Sequence, residues 1–318
     1  MTVIALDVMS GDLGAQECVP AALRALAADP DLRLLLVGDP AVIEAALAAA
    51  GPAAAGAPGA AALRERLEVV PAAEVITMED SPREAIRRKK RSSMRIAVDL
   101  VREGRAEAAV SAGNTGALTA IAHFVLKCLP QVERAPIMSA VPNERGHTHL
   151  LDLGANVRAT PLQLVQFALM GAIVARDVHG IARPRVGLLN IGVEESKGHD
   201  LVQEAHTLLR GRVAAASDGA AGAAGFDYAG FASKLAGLLA RPVLGRVSAS
   251  LDPRAFNGAV MVGLTHVVVK SHGSADRVAL ARAVAIAATA VRRQLVQHVA
   301  AALRETDVAE APAGERRG

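Results

Sequence analysis

The stretch S-A-G-N-T-G-A, Ser111 to Ala117, decides how this chain folds. Ala106 to Val110 before it is a short apolar run, and Leu118 to Leu126 after it repeats apolar residues at helical spacing. A strand that ends in a glycine-rich turn and opens a helix presents unpaired N–H groups at the helix N-terminus. There the aligned peptide dipoles favour an anion. Gly113 and Gly116 let the backbone come close, while Ser111, Asn114 and Thr115 add donors. Helix caps share this composition, so the turn alone does not define a phosphate site. Its recurrence elsewhere in the chain strengthens the reading.

Toward the N-terminus, Val3 to Met9 reads as a buried strand, with Gly11-Asp12 and Gly14 making the turn before a helix over Glu17 to Ala28. Leu32 to Val37 is an uninterrupted aliphatic run, as expected of a parallel strand covered on both faces. Pro40 to Ala50 is helical, Gly51 to Ala62 a loose surface loop, and Leu67 to Pro71 a strand. Ser81 to Glu84, S-P-R-E, combines an N-cap, a first-turn proline and a capping-box glutamate. The basic run Arg87 to Arg91 follows; it is a solvated helix face or a patch for an acidic carrier or lipid headgroups. Ser92 or Ser93 caps a second helix ending near Gly104.

Toward the C-terminus, strands are expected over Pro136 to Val141, Thr148 to Leu153, Arg185 to Ile191 and Val260 to Lys270. Helices are expected over Pro161 to Arg176, Leu201 to Leu209 and Phe226 to Val247, and one long amphipathic helix runs to about Arg304. Arg210 to Gly225 reads as a linker, or a weak strand with a flexible turn, and the tail after Glu305 as disordered. The alternation predicts a doubly wound α/β sheet in one catalytic domain over residues 1–304, with ligands at the carboxyl ends of the strands.

Aromatic residues are only 2% of the 318, so the stacking platforms of single-strand nucleic-acid binders are nearly absent. With 35 basic and 32 acidic residues the surface is mixed and selects no partner class. Two cysteines, Cys18 and Cys128, provide no disulfide framework; both fall on expected helices and read as packing residues, consistent with a reducing cytosol. The N-terminus shows no basic n-region, and the longest apolar run, Leu162 to Ala175, is too short to span a bilayer, so a soluble chain is expected.

Four strand-to-helix turns carry small polar residues: S-A-G-N-T-G-A, L-D-L-G-A-N-V (Leu151 to Val157), N-I-G-V-E-E-S-K-G-H (Asn190 to His199) and K-S-H-G-S-A-D (Lys270 to Asp276). Converging on one sheet edge, they would form a donor-rich basin holding Asn114, Asn156, Asn190, Lys197, Lys270 and His272. Such a basin suits phosphate and a developing oxyanion. Lys197 would neutralise phosphate or pair with Glu194 or Glu195, and spacing leaves both open. His272 takes a site role or a structural hydrogen bond. No G-x-S-x-G elbow supports covalent acyl catalysis, and the nine histidines show no metal-ligand spacing. No metal or cofactor is called for.

Seven blocks in order closely resemble the bacterial phosphate acyltransferases of phospholipid synthesis, the PlsX family. They are I-A-L-D-V-M-S-G-D, S-S-M-R-I-A, V-S-A-G-N-T-G-A-L, L-L-D-L-G-A-N-V, L-L-N-I-G-V-E-E-S-K-G, F-N-G-A-V-M-V-G-L and V-K-S-H-G-S-A-D. The resemblance implies a fold akin to phosphotransacetylases and isocitrate dehydrogenases, and a homodimer. It implies acyl transfer from acyl-acyl carrier protein to inorganic phosphate, without an acyl-enzyme. The product would pass to a membrane glycerol-3-phosphate acyltransferase, which places the protein in the cytoplasm with peripheral membrane contact. Nucleic acid is not an expected partner. By the same resemblance Lys197, His272 and Asn114 are the catalytic candidates. Asp7, Gly11, Asp12, Ser111, Gly113, Thr115, Gly116, Asp152, Asn156, Asn190, Glu194, Asp218, Asn257, Lys270 and Ser271 are the binding candidates.

The chain also departs from the family. The segment over 210–225 is shortened: Asp218, Gly219 and Gly222 are kept, but alanines replace a Phe and an Asn, and a following Lys and Glu-Gly are missing. Ser10 and Ala15 replace a glycine and a proline of the first block. Weakened or altered acyl transfer is therefore expected. Competing readings are a phosphotransacetylase-like enzyme using acyl-CoA, and an inactive paralogue that binds the acyl carrier or its partner enzyme. The nearest candidate for a membrane tip is Phe226 to Leu244, where Phe231, Leu235, Leu238 and Leu239 would form a stripe; a buried core face and a dimer contact remain open.

Overall fold

The apolar run at the N-terminus and the aliphatic run after it lie side by side as parallel strands. β1 (Thr2–Asp7) pairs with β2 (Leu32–Gly38), and β2 with β3 (Leu67–Pro71). A computed structural model describes residues 1–50, 60–143, 146–152, 159–190, 200–217, 227–232 and 257–305. The crossovers run through α1 (Ala15–Ala28), α2 (Pro40–Ala49) and α3 (Ala60–Glu65). Ala60 to Ala62, expected in a loop, are helical; the rest of that stretch lies outside the described residues.

Ser81 closes its capping box with Glu84 at the start of α4 (Pro82–Arg87), and Ser92 caps α5 (Ser93–Arg102) by accepting from Arg95 N–H. β4 (Ala108–Ser111) then pairs parallel with β1, and Asn114 caps α6 (Thr115–Val125). β5 (Ile137–Asn143) and β6 (Gly146–Leu151) follow as a hairpin, then α7 (Pro161–Asp177), β7 (Arg185–Leu189), α8 (Asp200–Ser217) and β8 (Asp227–Ala232). β9 (Ala259–Met261), β10 (Val267–Lys270), α9 (Arg277–Arg292) and α10 (Leu295–Glu305) complete the described chain.

The large sheet runs β3-β2-β1-β4-β10-β9-β5-β6. Its first five strands are parallel and the rest alternate in direction, so the fold is mixed α/β. Alternate side chains on the parallel strands enter cores on opposite faces. Ile4, Leu6, Leu34, Leu36, Val110 and Val269 pack with α1 and α9; Ala5, Leu35, Ala109 and Val268 pack with α5 and α6. Fully burying each of the larger aliphatics contributes about 1.5–3 kcal/mol.

Several expectations are corrected. The run Val260 to Lys270 is two antiparallel strands, because Gly263, at φ +91°, turns the chain after Met261. Only a few residues separate β5 from β6 and β9 from β10, too few for the crossover a parallel pair requires. β7 leaves the main sheet and pairs with β8, its alternate residues exposed as in a two-stranded ribbon. Arg210 to Ser217 continue α8 rather than forming a linker. Asp227 to Ala232, expected as helix, are strand β8; Leu235, Leu238 and Leu239 lie outside the described residues, as does the tail from residue 306. The long C-terminal helix breaks at Gln294, where φ is +52°. Cys128 sits on an isolated bridge to Leu264 rather than on a helix. Among the described residues no helix is long and apolar enough to cross a membrane.

A Cβ on Gly263 would lie 2.9 Å from Val132 Cγ1 and 3.1 Å from Met170 Sδ, on a backbone that L residues rarely adopt. Gly263→Ala is expected to destabilise the protein by about 1–3 kcal/mol. Urea denaturation followed by circular dichroism measures this, and an unchanged midpoint would refute the tightness of that turn.

Candidate active site

Register places Asp7, Ser111 and Lys270 in one cross-strand row, at the carboxyl ends of β1, β4 and β10. All three side chains fall on the face that carries Ala5, Ala109 and Val268, toward α5 and α6. Ser111 Oγ donates to Asp7 Oδ2 at 2.7 Å and accepts the Gly113 N–H at 3.1 Å. Each member of the row is buried.

Burial raises the Asp7 carboxyl above the usual range, and neighbouring hydroxyls with the Met9 amide pull it back. Of those hydroxyls, Ser111 makes a well-formed hydrogen bond, while Ser10 and Ser93 lie beside the carboxylate without one. Lys270 is pushed down to about 8 by burial, opposed by the charges of Asp12 and Asp7. Its Nζ donates to the carbonyls of Ala112, at 3.3 Å, and Ser271.

The loops above the row interlock. Asp12 N–H donates to Gly273 O at 2.9 Å, and Ser271 N–H to Ser111 O at 2.9 Å. Gly11, at φ +90°, passes so close that a Cβ would lie 3.0 Å from Ala112 Cβ and 3.1 Å from Gly273 O. At Gly113 a Cβ would sit 2.5 Å from Met94 Cε and 2.8 Å from Ser10. Glycine at both positions is thus a packing requirement of three converging loops. Asn257, just before β9, ties them from the side. Its Nδ2 donates to Ser271 Oγ at 2.8 Å and Ala279 O at 2.7 Å, and its Oδ1 accepts the His272 N–H at 2.9 Å.

Asn114 is spent on structure. Its Oδ1 accepts the Ala117 N–H, and its Nδ2 donates to the carbonyls of Thr77, Met78 and Asp80. The donors left open at this turn are instead those of the exposed Thr115 and Gly116, whose N–H groups have no partner among the described residues. His272 is exposed and accepts the Ser274 N–H on Nδ1 at 3.3 Å, which assigns the ring proton to Nε2.

Of the four turns expected to form the basin, most of two, residues 153–158 and 191–199, lies outside the described residues. The turns after β4 and β10 converge, joined by the turn after β1. β6 runs antiparallel to β10, three strands along the sheet, with Leu151 level with Val269; Asp152 follows it, and residues 153–158 of that turn lie outside the described residues. Asn190 is buried after β7, in the separate ribbon. Asn156, Glu194, Lys197 and Asp218 lie outside the described residues. A cleft between α1 and α9, lined by Arg24, Ala28, Arg282, Ala285 and Arg292, opens at the amino end of the parallel strands, away from these loops.

Residues 2–225 and 226–298 match the family described as fatty acid synthesis protein. The chain belongs to this family. Its relatives include a phosphate acyltransferase of Methylococcus capsulatus, 44% identical with 97% of this chain and 98% of the relative covered. Another, from Alkalilimnicola ehrlichii, is 44% identical over 91% of this chain and 92% of its own length, and is also named phosphate acyltransferase. In fold the chain is similar to a phosphotransacetylase from Streptococcus pyogenes (TM-score 0.62, 17% identity, 92% of this chain and 94% of that one). It is likewise similar to the EutD phosphotransacetylase from Staphylococcus aureus (TM-score 0.59, 16% identity, 91% and 94%).

Removing the Asn257 side chain in Asn257→Ala leaves the Ser271 hydroxyl, the His272 N–H and the Ala279 carbonyl without that partner. A loss of about 1–3 kcal/mol is expected, read as a lower unfolding midpoint. Wild-type stability would show that the loops hold without this tie.

Proposed function

We propose that the chain is a phosphate acyltransferase that converts acyl-acyl carrier protein and inorganic phosphate to acyl phosphate and free carrier. The observation that carries this is the shared name of relatives 44% identical over nearly the whole chain. The geometry supports it: a buried lysine bonds the Ala112 carbonyl at the turn that opens α6, whose first two amides have no partner among the described residues, and an exposed histidine follows it two residues later, a set of groups suited to phosphate and an oxyanion.

In this reading a phosphate oxygen attacks the thioester carbonyl, the carbon–sulfur bond breaks, and the phosphate proton ends on the carrier thiol. Lys270 and the Thr115 and Gly116 amides hold the phosphate, and His272 Nε2–H donates to the developing oxyanion or the departing sulfur. Asn114 acts as a positioning residue. Lys197, Glu194, Asp218 and Asn156 remain binding candidates on the strength of the motif resemblance. Both cysteine thiols are raised by burial and stay protonated, in keeping with transfer that needs no acyl-enzyme.

Arg83, Arg87, Arg88, Lys90 and Arg91 form an exposed basic rim on the segment that Asn114 binds, while Lys89 is held by Asp80 and the Val75 carbonyl. We take this rim as the face offered to an acidic carrier. The reading extends to one catalytic domain over 1–304, a cytoplasmic homodimer, peripheral membrane contact and delivery of product to a membrane glycerol-3-phosphate acyltransferase; the seven motif blocks support these.

Release of carrier thiol from long-chain acyl-acyl carrier protein, with and without inorganic phosphate, is the direct test. Phosphate-dependent release is expected, at a rate lowered by the shortened 210–225 segment. No release from a folded protein that still binds the acyl carrier would favour the inactive paralogue.

The pH profile follows from Lys270. Its value falls from 10.5 to about 8 on folding, so the cation that holds phosphate is lost as pH rises through about 8. An alkaline fall in kcat/KM is expected there, since that ratio reports the free enzyme. Lys270→Arg, which stays charged, moves the fall to higher pH. An unmoved profile would take Lys270 out of the phosphate site.

A further inference from the structure

We propose that His147, His149 and His179 form a binding site for a borderline divalent transition-metal ion, zinc foremost, that ties the edge strand β6 to the end of α7. Each ring offers one nitrogen, and these nitrogens all lie within 4.8 Å of one another. The ring centroids stand 4.7 Å apart for His147 and His149, 4.2 Å for His149 and His179, and 5.7 Å for His147 and His179.

Strand and helix geometry explain the meeting. His147, His149 and Leu151 share one face of β6, and Leu151 presses on α7 at Gly171, where a Cβ would lie 2.7 Å from Leu151 Cδ1. From that contact, six helical residues to Asp177 advance about 9 Å, and two more lead to His179. Four strand residues back toward His147 advance about 13 Å. An H-x-H pair on β6 and a histidine just past α7 therefore arrive at one place.

Three imidazoles suit zinc, copper or nickel, and in zinc sites they commonly leave a fourth position for water. Bonds of about 2.0–2.1 Å at tetrahedral angles require nitrogens about 3.3 Å apart, which small ring rotations supply from the present spacing. The Nε2 of His149 is buried and has no hydrogen-bond partner among the described residues, so a lone pair or an N–H there lacks compensation without a ligand. The opposing charge is Arg282, which bears on His179 from an exposed position screened by water. Among the described residues no carboxylate or thiol joins the group. This ion would lie apart from the Asp7–Ser111–Lys270 row and takes no part in acyl transfer.

Untagged full-length protein, stripped with a chelator and dialysed, is titrated with Zn²⁺ against a chromogenic chelator and with Co²⁺ in the visible region. One ion per chain is expected, with a cobalt spectrum of a low-coordinate nitrogen-rich site. His149→Ala and His179→Ala should each weaken binding by at least about tenfold, whereas His266→Ala, remote in the β9–β10 turn, should leave it unchanged. Saturating Zn²⁺ should raise the unfolding temperature of the wild type but not of His149→Ala. Substoichiometric binding, or equal affinity in both cluster variants, overturns the proposal. Should His149→Ala fail to fold, His179→Ala changes a residue outside both β6 and α7, and the wild-type stoichiometry and cobalt spectrum decide without a variant.

Discussion

Everything at the candidate site depends on one row of three side chains in a dry sheet. β1, β4 and β10 are adjacent and parallel, so their carboxyl ends coincide, and the last residue of each lands at the same level. A carboxylate and an ammonium there are costly to bury, and Lys270, two strands from Asp7, turns its Nζ to the Ala112 and Ser271 carbonyls. Ser111 stands between them and satisfies the carboxylate from one side. The lysine is left with carbonyls as acceptors, which compensate a cation less well than a carboxylate would. That residual deficit is what an anion would fill. A helix N-terminus with two amides that have no partner among the described residues would add a second attraction for the same charge.

The architecture explains why the row is met only by short, glycine-bearing turns. Gly11, Gly113 and Gly273 come from three loops that hydrogen-bond to one another, with backbone spacing too tight for side chains at two of those positions. The loops therefore act as one piece, and the donors that would face phosphate in the proposed reading are held by the fold itself. Preorganisation of this kind is where positioning lowers a barrier without any covalent participation by the protein. The buried thiol of Cys18 and the half-buried thiol of Cys128 fit the same picture, since burial raises both above the usual thiol range.

Much of this was legible in the sequence because local rules and tertiary structure agreed. Continuous aliphatic runs became the buried parallel strands, and S-P-R-E at Ser81 to Glu84 closed as a capping box. The turn at Ser111 to Ala117 joined a strand to a helix as read. What failed was direction and pairing. Period-two apolar patterning does not distinguish a parallel strand from an antiparallel one, and the short spacer between Asn143 and Gly146 was the available cue. Gly263 sat inside an apolar run and marked a turn, not a gap in a strand. The β7–β8 ribbon was hidden because D-Y-A-G-F-A reads equally as helix or strand at that length. The histidine group shows no close ligand spacing in the sequence because its third member follows a helix thirty residues later; the alternation in H-T-H is its one local sign.

Asn114 shows how a motif residue serves a site without touching it. Four hydrogen bonds consume its amide: one caps α6, and three clasp the carbonyls of Thr77, Met78 and Asp80. The clasped segment carries the exposed arginines of the rim, and Lys89 is locked to it through Asp80 and Val75. Pro82 closes over Gly116, whose Cβ position is 3.2 Å from the ring. The basic rim and the anion-facing end of α6 therefore share one rigid mount. A carrier gripped by the rim would have its thioester presented at a fixed distance from the helix N-terminus. Losing the Asn114 amide would loosen that distance while leaving every donor in place. Its contribution is then geometric, and asparagine suits the position because one short side chain supplies an acceptor for the cap and a two-hydrogen donor for the clasp.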